Sequence, residues 1–380
     1  MKSSPPEAKA FPYFINKPLI GVLSCPIGRR TRPILSNYRE LIIQGRKRGI
    51  TVYVFEPRGV DWKRRQVWGW TLGREAGNGW RLYKFPLFDV VYNRIPNRKA
   101  ENRPEVQKCI EQLERENIPF FNPCYLDKWV VYNWLAQDRK LTGHLPKTRL
   151  FSIAGLTEML DKAGSVYLKP RAGSVGRGIM RIDKTPSGYR VHIKTGKGYA
   201  AHTENGVAGI AARLKSKQPQ KEYIVQETVD LARYRGRIFD IRTLIQKDLQ
   251  GEWKVTGMGA RLAAKNAFLT HVPNYGQVVP LKDVLSELLE NSEIRMHVIY
   301  DRIIELAHAV GTCVDRNSNM AFGELSLDIG LDANLSLWLI EVNSKPFRFD
   351  EPDIRILSRN RVLDYATYLT RSKQKGSETS

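Results

Sequence analysis

The stretch VYLKPRAGSVGRGI, Val166 to Ile179, reads as a β-strand that ends at Lys169-Pro170 and runs into a loop with glycines at 173, 176 and 178. Backbone amides of a small-residue loop can approach phosphate oxygens, while a lysine at the strand end supplies a point charge beside them. The chain has neither a G-x-x-x-x-G-K-[ST] loop nor a G-x-G-x-x-G turn, so the two commonest phosphate cradles are excluded. Alone, the stretch fits a glycine-bearing hairpin with a surface lysine equally well.

A second cluster narrows the choice. In GELSLDIGLDANLSLWLIEVNSKP, Gly323 to Pro346, two adjacent strands each present a carboxylate, Asp328 and Glu341, with Asn343 on the same face as Glu341 by its i, i+2 spacing. Three oxygen donors suit a hard Mg²⁺ held together with substrate phosphates. A solvent-facing strand could also carry them, but Glu341 and Asn343 interrupt the apolar run LWLIEV. Asp328 is a better metal ligand than Asp332, which falls in the connecting turn. A third element, Tyr223 to Ile245, places Asp240 and Arg242 on one face of a strand, and Arg261 follows in KVTGMGAR. Singly, such arginines read as surface or salt-bridge residues; beside a lysine, a glycine loop and a magnesium set, they read as phosphate clamps.

The flanking sequence supplies the scaffold. Leu19 to Leu23 and Thr51 to Phe55 read as strands around a helix, Asn37 to Arg48, that Gly49 closes. Phe88 to Tyr92, a helical Glu105 to Glu116 and the run from Ile118 to Phe121 extend this into a parallel α/β sheet ending near Asn122-Pro123. A helix over Lys128 to Gln137 and several short strands follow, then a largely helical Leu281 to Val310 with Gly311 as its expected C-cap. The expected division is a first domain over 1–124, a second over 125–372 with a lobe at 146–225, and a tail at 373–380.

The 380 residues carry 61 Lys and Arg against 39 Asp and Glu, a net charge of +22, which points to anionic partners. The first hundred hold 20 of those cations and only 6 of the acids. Four scattered cysteines give neither a disulfide framework nor a zinc site. With no leader-like apolar stretch and no membrane-length run, the expectation is a soluble cytoplasmic protein.

Taken in order, these parts resemble the ATP-grasp superfamily, over Asp127-Lys128, Val166 to Pro170, the glycine flap, Val225-Gln226-Glu227, Phe239 to Arg242, Arg261 and Glu341-Val342-Asn343. The chain looks most like the endospore coat-associated YheC/YheD-like branch. The resemblance implies an α/β fold, with a Rossmann-like pre-ATP-grasp domain followed by a two-lobed α+β ATP-grasp domain. It implies ATP and Mg²⁺ as cofactors. Lys128 and Lys169 would contact nucleotide phosphates, with Ser174, Gly176 and Gly178 in the covering flap. Gln226 and Glu227 would lie where adenine docks and Asp240 near the ribose and triphosphate. Arg242 would sit there with Asp240, Arg261 would hold the developing acyl phosphate, and Asp328, Glu341 and Asn343 would bind two Mg²⁺. The chain departs from related ligases at THVPNYGQ, where His271 and a lone Gly276 replace an Asn before a Gly-Gly pair.

The function implied is a carboxylate–amine ligase acting through an acyl phosphate on small-molecule or peptide substrates. The alternative is a coat or assembly protein that binds nucleotide without turnover. The segment from Asp61 to Lys84 interleaves cations with Trp62, Trp68, Trp70 and Trp80. An aromatic β-hairpin explains it best, with nucleic acid or an acidic polymer or spore-coat surface as other partners for its basic face.

Overall fold

A computed structural model describes residues 9–12, 15–26, 33–73, 79–173, 176–195, 198–217, 222–264, 267–268, 270 and 277–378; Ser174 and the His271 to Gly276 stretch lie outside it. The described residues build three sheets. In the first, β1 (Leu19–Leu23), β2 (Thr51–Asp61), β3 (Gln66–Leu72), β4 (Trp80–Pro86), β5 (Val90–Asn93) and β6 (Phe120–Phe121) lie in the order β4-β3-β2-β1-β5-β6. The pairs β1–β2, β1–β5 and β5–β6 are parallel. Both faces of this sheet are covered, as parallel strands require. Helix α1 (Arg39–Lys47) packs on one side, α2 (Arg98–Glu101) and α3 (Pro104–Arg115) on the other. Gly49, at φ +66°, takes the left-handed conformation that ends α1.

The tryptophan-rich segment adds the antiparallel strands β3 and β4 to this sheet, with Trp68 opposite Lys84 and Trp70 opposite Leu82. The Lys84 ammonium sits 5.8 Å from the Trp68 ring.

Helix α4 (Lys128–Ala136) leads into the second sheet, formed by β7 (Thr148–Leu150), β8 (Ser165–Pro170), β9 (Met180–Thr185), β10 (Gly188–Thr195), β11 (Gly198–Glu204) and β12 (Tyr223–Glu227). Helices α5 (Ile153–Ala163) and α6 (Val207–Lys217) cover one face. The third sheet contains β13 (Arg233–Tyr234), β14 (Arg237–Lys247), β15 (Trp253–Leu262), β16 (Gln277–Val279), β17 (Glu324–Leu331) and β18 (Leu337–Asn343). Its apolar face meets α4, α7 (Leu281–Leu288) and α8 (Glu293–Ser318) in the largest core of the molecule.

Two sequence expectations are corrected here. The helical region over Leu281 to Val310 is two helices, and α8 runs past Gly311 to a left-handed cap at Asn319. Gly311 is internal because the Trp253 ring packs against its backbone: a Cβ there would lie 2.7 Å from the indole. The second correction is at the C-terminus, where the segment expected as a tail from 373 continues helix α9 (Pro352–Glu378). Val362, Leu363, Tyr365 and Ala366 of α9 share a core with β1, β2 and α1, so α9 helps cover that face of the first sheet. Gly311→Ala is expected to destabilise the fold by about 1–3 kcal/mol through overpacking. Urea denaturation checks this, and an unchanged midpoint would show that the indole yields freely.

A buried carboxylate ties the first sheet to the third. Glu324 on β17 accepts hydrogen bonds from Tyr92 (2.7 Å), Arg94 (2.9 Å), Asn122 (3.0 Å) and Gln246 (3.2 Å). Its neighbours thereby fix how the opening sheet meets the strands that carry the candidate site.

Candidate functional site

Side-chain alternation on the third sheet builds the site. Along β17, Leu325, Leu327 and Ile329 enter the core, which leaves Ser326 and Asp328 on the opposite face; along β18, Leu339 and Val342 enter the core. Direct pairing then sets Asp328 between Arg242 of β14 and Glu341 of β18, Ser326 opposite Asn343, and Asp240 opposite Arg261. Cross-strand register therefore gathers residues as far apart as Asp240 and Asn343 onto one polar face.

Arg261 is the hub of that face. Its Nε and Nη2 donate to the two Asp240 oxygens at 2.7 and 2.6 Å, and Nη2 lies 2.8 Å from Asp328 Oδ2. Burial opposes its charge, but Asp240 and Asp328 outweigh that and raise its affinity for the proton. Asp240 is itself buried and also accepts from the Thr270 hydroxyl. Asp240, expected from the resemblance near the ribose and triphosphate, has both oxygens on Arg261 here and holds that arginine in place.

Arg242 is held differently. It donates through Nη2 to the Phe347 carbonyl at 3.1 Å, and its guanidinium lies 4.7 Å from the Phe349 ring centre. Among the described residues its buried Nε has no hydrogen-bond partner. Burial lowers its pKa from the usual value, with Asp328 working against the shift.

Lys169 lies across the cleft on β8. Val166 and Leu168 face the core under α5 and α6, so alternation turns Tyr167 and Lys169 the other way. The Lys169 ammonium is buried and donates to the Gln226 side-chain oxygen on β12; Gln226 in turn donates to the Thr148 hydroxyl at 3.1 Å. No carboxylate forms an ion pair with Lys169 among the described residues. Burial pushes its pKa down to about 8, Glu341 acting in opposition and Lys128 in the same direction.

Lys128 opens α4, whose first turn is capped by Asp127 accepting from the backbone N–H groups of Trp129 and Val130. Its ammonium reaches 3.2 Å from Glu341 Oε1 and donates to the Gly173 carbonyl at 2.9 Å, where the flap loop begins. Gly176 and Gly178 have φ of +67° and +80°, a backbone that other residues adopt only under strain. Glu227 accepts from the Lys147 backbone N–H at 2.7 Å and lies outside the cavity that Lys169 and Gln226 line.

Lys128, Arg242, Arg261, Asp328, Glu341 and Asn343 converge on one cavity of about 320 Å³. Lys169, Gln226 and Thr148 line a smaller one, which shares Lys128 and Glu341 with it. The donors at Asp328, Glu341 and Asn343 are all oxygens, as Mg²⁺ prefers. The set holds two carboxylates and an amide; no group of three or more His, Cys, Asp or Glu that could hold a metal exists among the described residues.

Sequence reasoning missed the far wall of the cavity. Lys345 and Glu101 form a buried ion pair of 2.6 Å, which joins the segment after β18 to α2 of the first sheet, and Glu101 also accepts from the Tyr125 N–H. Arg98 donates to the carbonyls of Tyr125 and Leu126 and lines the same cavity. The available signal was the pair Lys345-Pro346, one residue beyond Asn343.

The model of the YheC/D-like ATP-grasp family matches residues 117–369. The endospore coat-associated protein YheD of Bacillus subtilis (strain 168) is 29% identical over 351 residues, covering 88% of this chain and 74% of that one. The endospore coat-associated protein YheC of the same organism is 22% identical over 275 residues, covering 72% and 74%. Among solved structures, the D-alanine-D-alanine ligase of Coxiella burnetii aligns with a TM-score of 0.54 at 13% identity, over 95% of this chain and 97% of that chain. The D-cycloserine synthetase DcsG aligns at 0.52 and 14% identity, over 91% and 99%. These likenesses show the fold to be the α/β ATP-grasp architecture. No helix among the described residues is long and apolar enough to cross a membrane. The chain belongs to the YheC/D-like ATP-grasp family.

Proposed function

We propose that this chain is an ATP- and Mg²⁺-dependent ligase that joins a carboxylate to an amine. The observation that carries the reading is Lys169: a buried ammonium held by a neutral amide oxygen, lining a small cavity that shares Lys128 and Glu341 with the larger one, where the oxygen donors and arginines lie. A buried charge without a counter-charge is costly, and a phosphate would supply the missing anion. The unpartnered donor of Arg242 fits the same need.

Mg-ATP supplies a phosphoryl group that a substrate carboxylate can accept, with ADP leaving; an amine then attacks the acyl carbon and phosphate departs. For such a transfer the protein needs no nucleophile of its own, only positioning and charge neutralisation. Lys169 and Lys128 would hold phosphate oxygens. Asp328, Glu341 and Asn343 would hold Mg²⁺, which requires Lys128 to release Glu341. Arg261, fixed by Asp240, and Arg242 would face the oxygens on which charge develops. The segment with Gly176 and Gly178 would close over the nucleotide and exclude water. Structural relatives act as ligases by name, as in D-alanine-D-alanine ligase and D-cycloserine synthetase. Coat association, carried in the names of the two relatives, stands as the second reading, in which the fold binds nucleotide without turnover.

Thermal melting with and without Mg-ATP tests the reading, because a ligand that binds only the folded state raises Tm. A Mg²⁺-dependent rise followed by acceptor-dependent ADP release supports the ligase, a rise without ADP release under any acceptor favours the second reading, and no rise at millimolar Mg-ATP removes both. The pH dependence carries a further expectation. Lys169 titrates near 8 in the folded chain and near 10.5 unfolded. Between those values the unfolded chain binds the extra proton, so this group's contribution to stability grows as pH rises. Nucleotide affinity moves the opposite way, because the phosphate needs the charged amine: Kd should climb about tenfold per pH unit above 8. Isothermal titration from pH 7 to 10 checks this, and a flat profile would remove Lys169 from the phosphate site.

A further inference from the structure

The segment Pro346 to Phe349 is a partition. It lines the main cavity on one side and, on the other, a second cavity of about 160 Å³, half the volume. That second cavity is enclosed by Tyr38 and Leu41 near the start of α1, Tyr92 and Arg94 at the end of β5, and Arg355, Ser358 and Arg359 on α9.

Four arginines line it, and the acids present answer only two. Arg94 pairs with Glu324 at 2.9 Å and Arg359 with Glu40 at 2.9 Å. Neither the exposed Arg348 nor the half-buried Arg355 has a carboxylate partner among the described residues; the Arg355 guanidinium donates to the Asp350 carbonyl at 3.4 Å. The cluster is crowded with like charge: burial lowers the pKa of Arg359, and Arg355 and Arg348 add to that effect against Glu40. An anion between the guanidiniums would relieve this repulsion, and planar guanidinium forks match a carboxylate in particular. Leu41, Leu244 and the exposed Phe347 offer apolar surface beside the cations, suited to a short aliphatic stem.

We propose that this cavity seats a second carboxylate of the substrate, so that the enzyme acts on an acidic peptide or dicarboxylate whose reacting end crosses the Pro346–Phe349 partition into the main cavity. The proposal rests on the ligase reading. It gives the basic balance of the chain a use at the site, since a substrate of this class is drawn in by long-range attraction.

Calorimetric titration of the full chain with the dipeptide Glu-Glu, without nucleotide, tests it, with Ala-Ala and inorganic phosphate in parallel. The variant R355Q, altered at an arginine that lines only the second cavity, is titrated alongside, and Mg-ATP melting shifts on both proteins report the fold and the nucleotide site independently. The expected result is saturable Glu-Glu binding, Ala-Ala weaker by at least about tenfold, and a similar loss in the variant with its Mg-ATP shift intact. No Glu-Glu binding, equal binding of Ala-Ala, an unaffected variant, or phosphate binding as tightly as Glu-Glu would each overturn the proposal. A missing Mg-ATP shift in the unaltered chain would instead remove the ligase reading, and the dipeptide arms would still judge the cavity.

Discussion

Lys169→Met is expected to abolish the Mg-ATP melting shift and to lower any ATP-dependent turnover by at least about 10²-fold, the scale seen when one charge-stabilising donor is removed from a transfer site. The substitution keeps much of the side-chain length and removes the charge together with the hydrogen bond donated to Gln226. In the unliganded chain that charge is a burden, because burial has already lowered its pKa to about 8 and it donates only to the uncharged Gln226. The melting temperature without nucleotide should therefore stay level or rise. This opposite movement of apo stability and ligand response separates a functional lysine from a structural one. A clear fall in apo Tm, with the Mg-ATP shift retained, would show that Lys169 serves the fold instead.

Arg261→Ala should do the reverse and damage the fold first. Asp240 and Asp328 are both buried, and Arg261 is the cation between them. Its removal leaves two carboxylates uncompensated in the interior, and breaking a buried pair in this way costs about 3–5 kcal/mol. Arg261→Lys provides the second measurement, since it restores the charge without the two-pronged grip on Asp240. Its stability should recover in large part while ADP release remains low, as a lysine cannot hold Asp240 through two parallel bonds and present the same donors to the cavity. Urea denaturation reads the first effect and coupled ADP detection the second. An alanine variant within about 0.5 kcal/mol of the parent, the range of ordinary surface changes, would overturn the assignment of Arg261 as the hub.

The strands and their faces were legible because alternation is a local property. LSLDIGL and LIEVN announce which side chains enter the core, and those left over, Asp328, Glu341 and Asn343, are the ones that line the cavity. The helix beginning at Lys128 and the glycine-bearing loop after Pro170 were equally readable, since helix starts and loops depend on a few neighbouring residues. Gly311 was misread for the same reason. Glycine after an apolar stripe is a local stop signal, and the contact that keeps α8 going comes from Trp253, 58 positions away in sequence.

The sequence by itself thus determined the α/β class, the polar face of the third sheet and the set of cations and oxygen donors, because each follows from spacing along one segment. Only the tertiary structure decided how they are shared. Asp240 became the anchor of Arg261 through pairing of β14 with β15. Lys345 met Glu101 across 244 positions, and α9 returned to help cover a face of the first sheet. The arginines of α9 came to face the back of the Pro346–Phe349 partition by the same return of the chain. Such partnerships depend on strand order and packing between distant segments, which no local periodicity encodes.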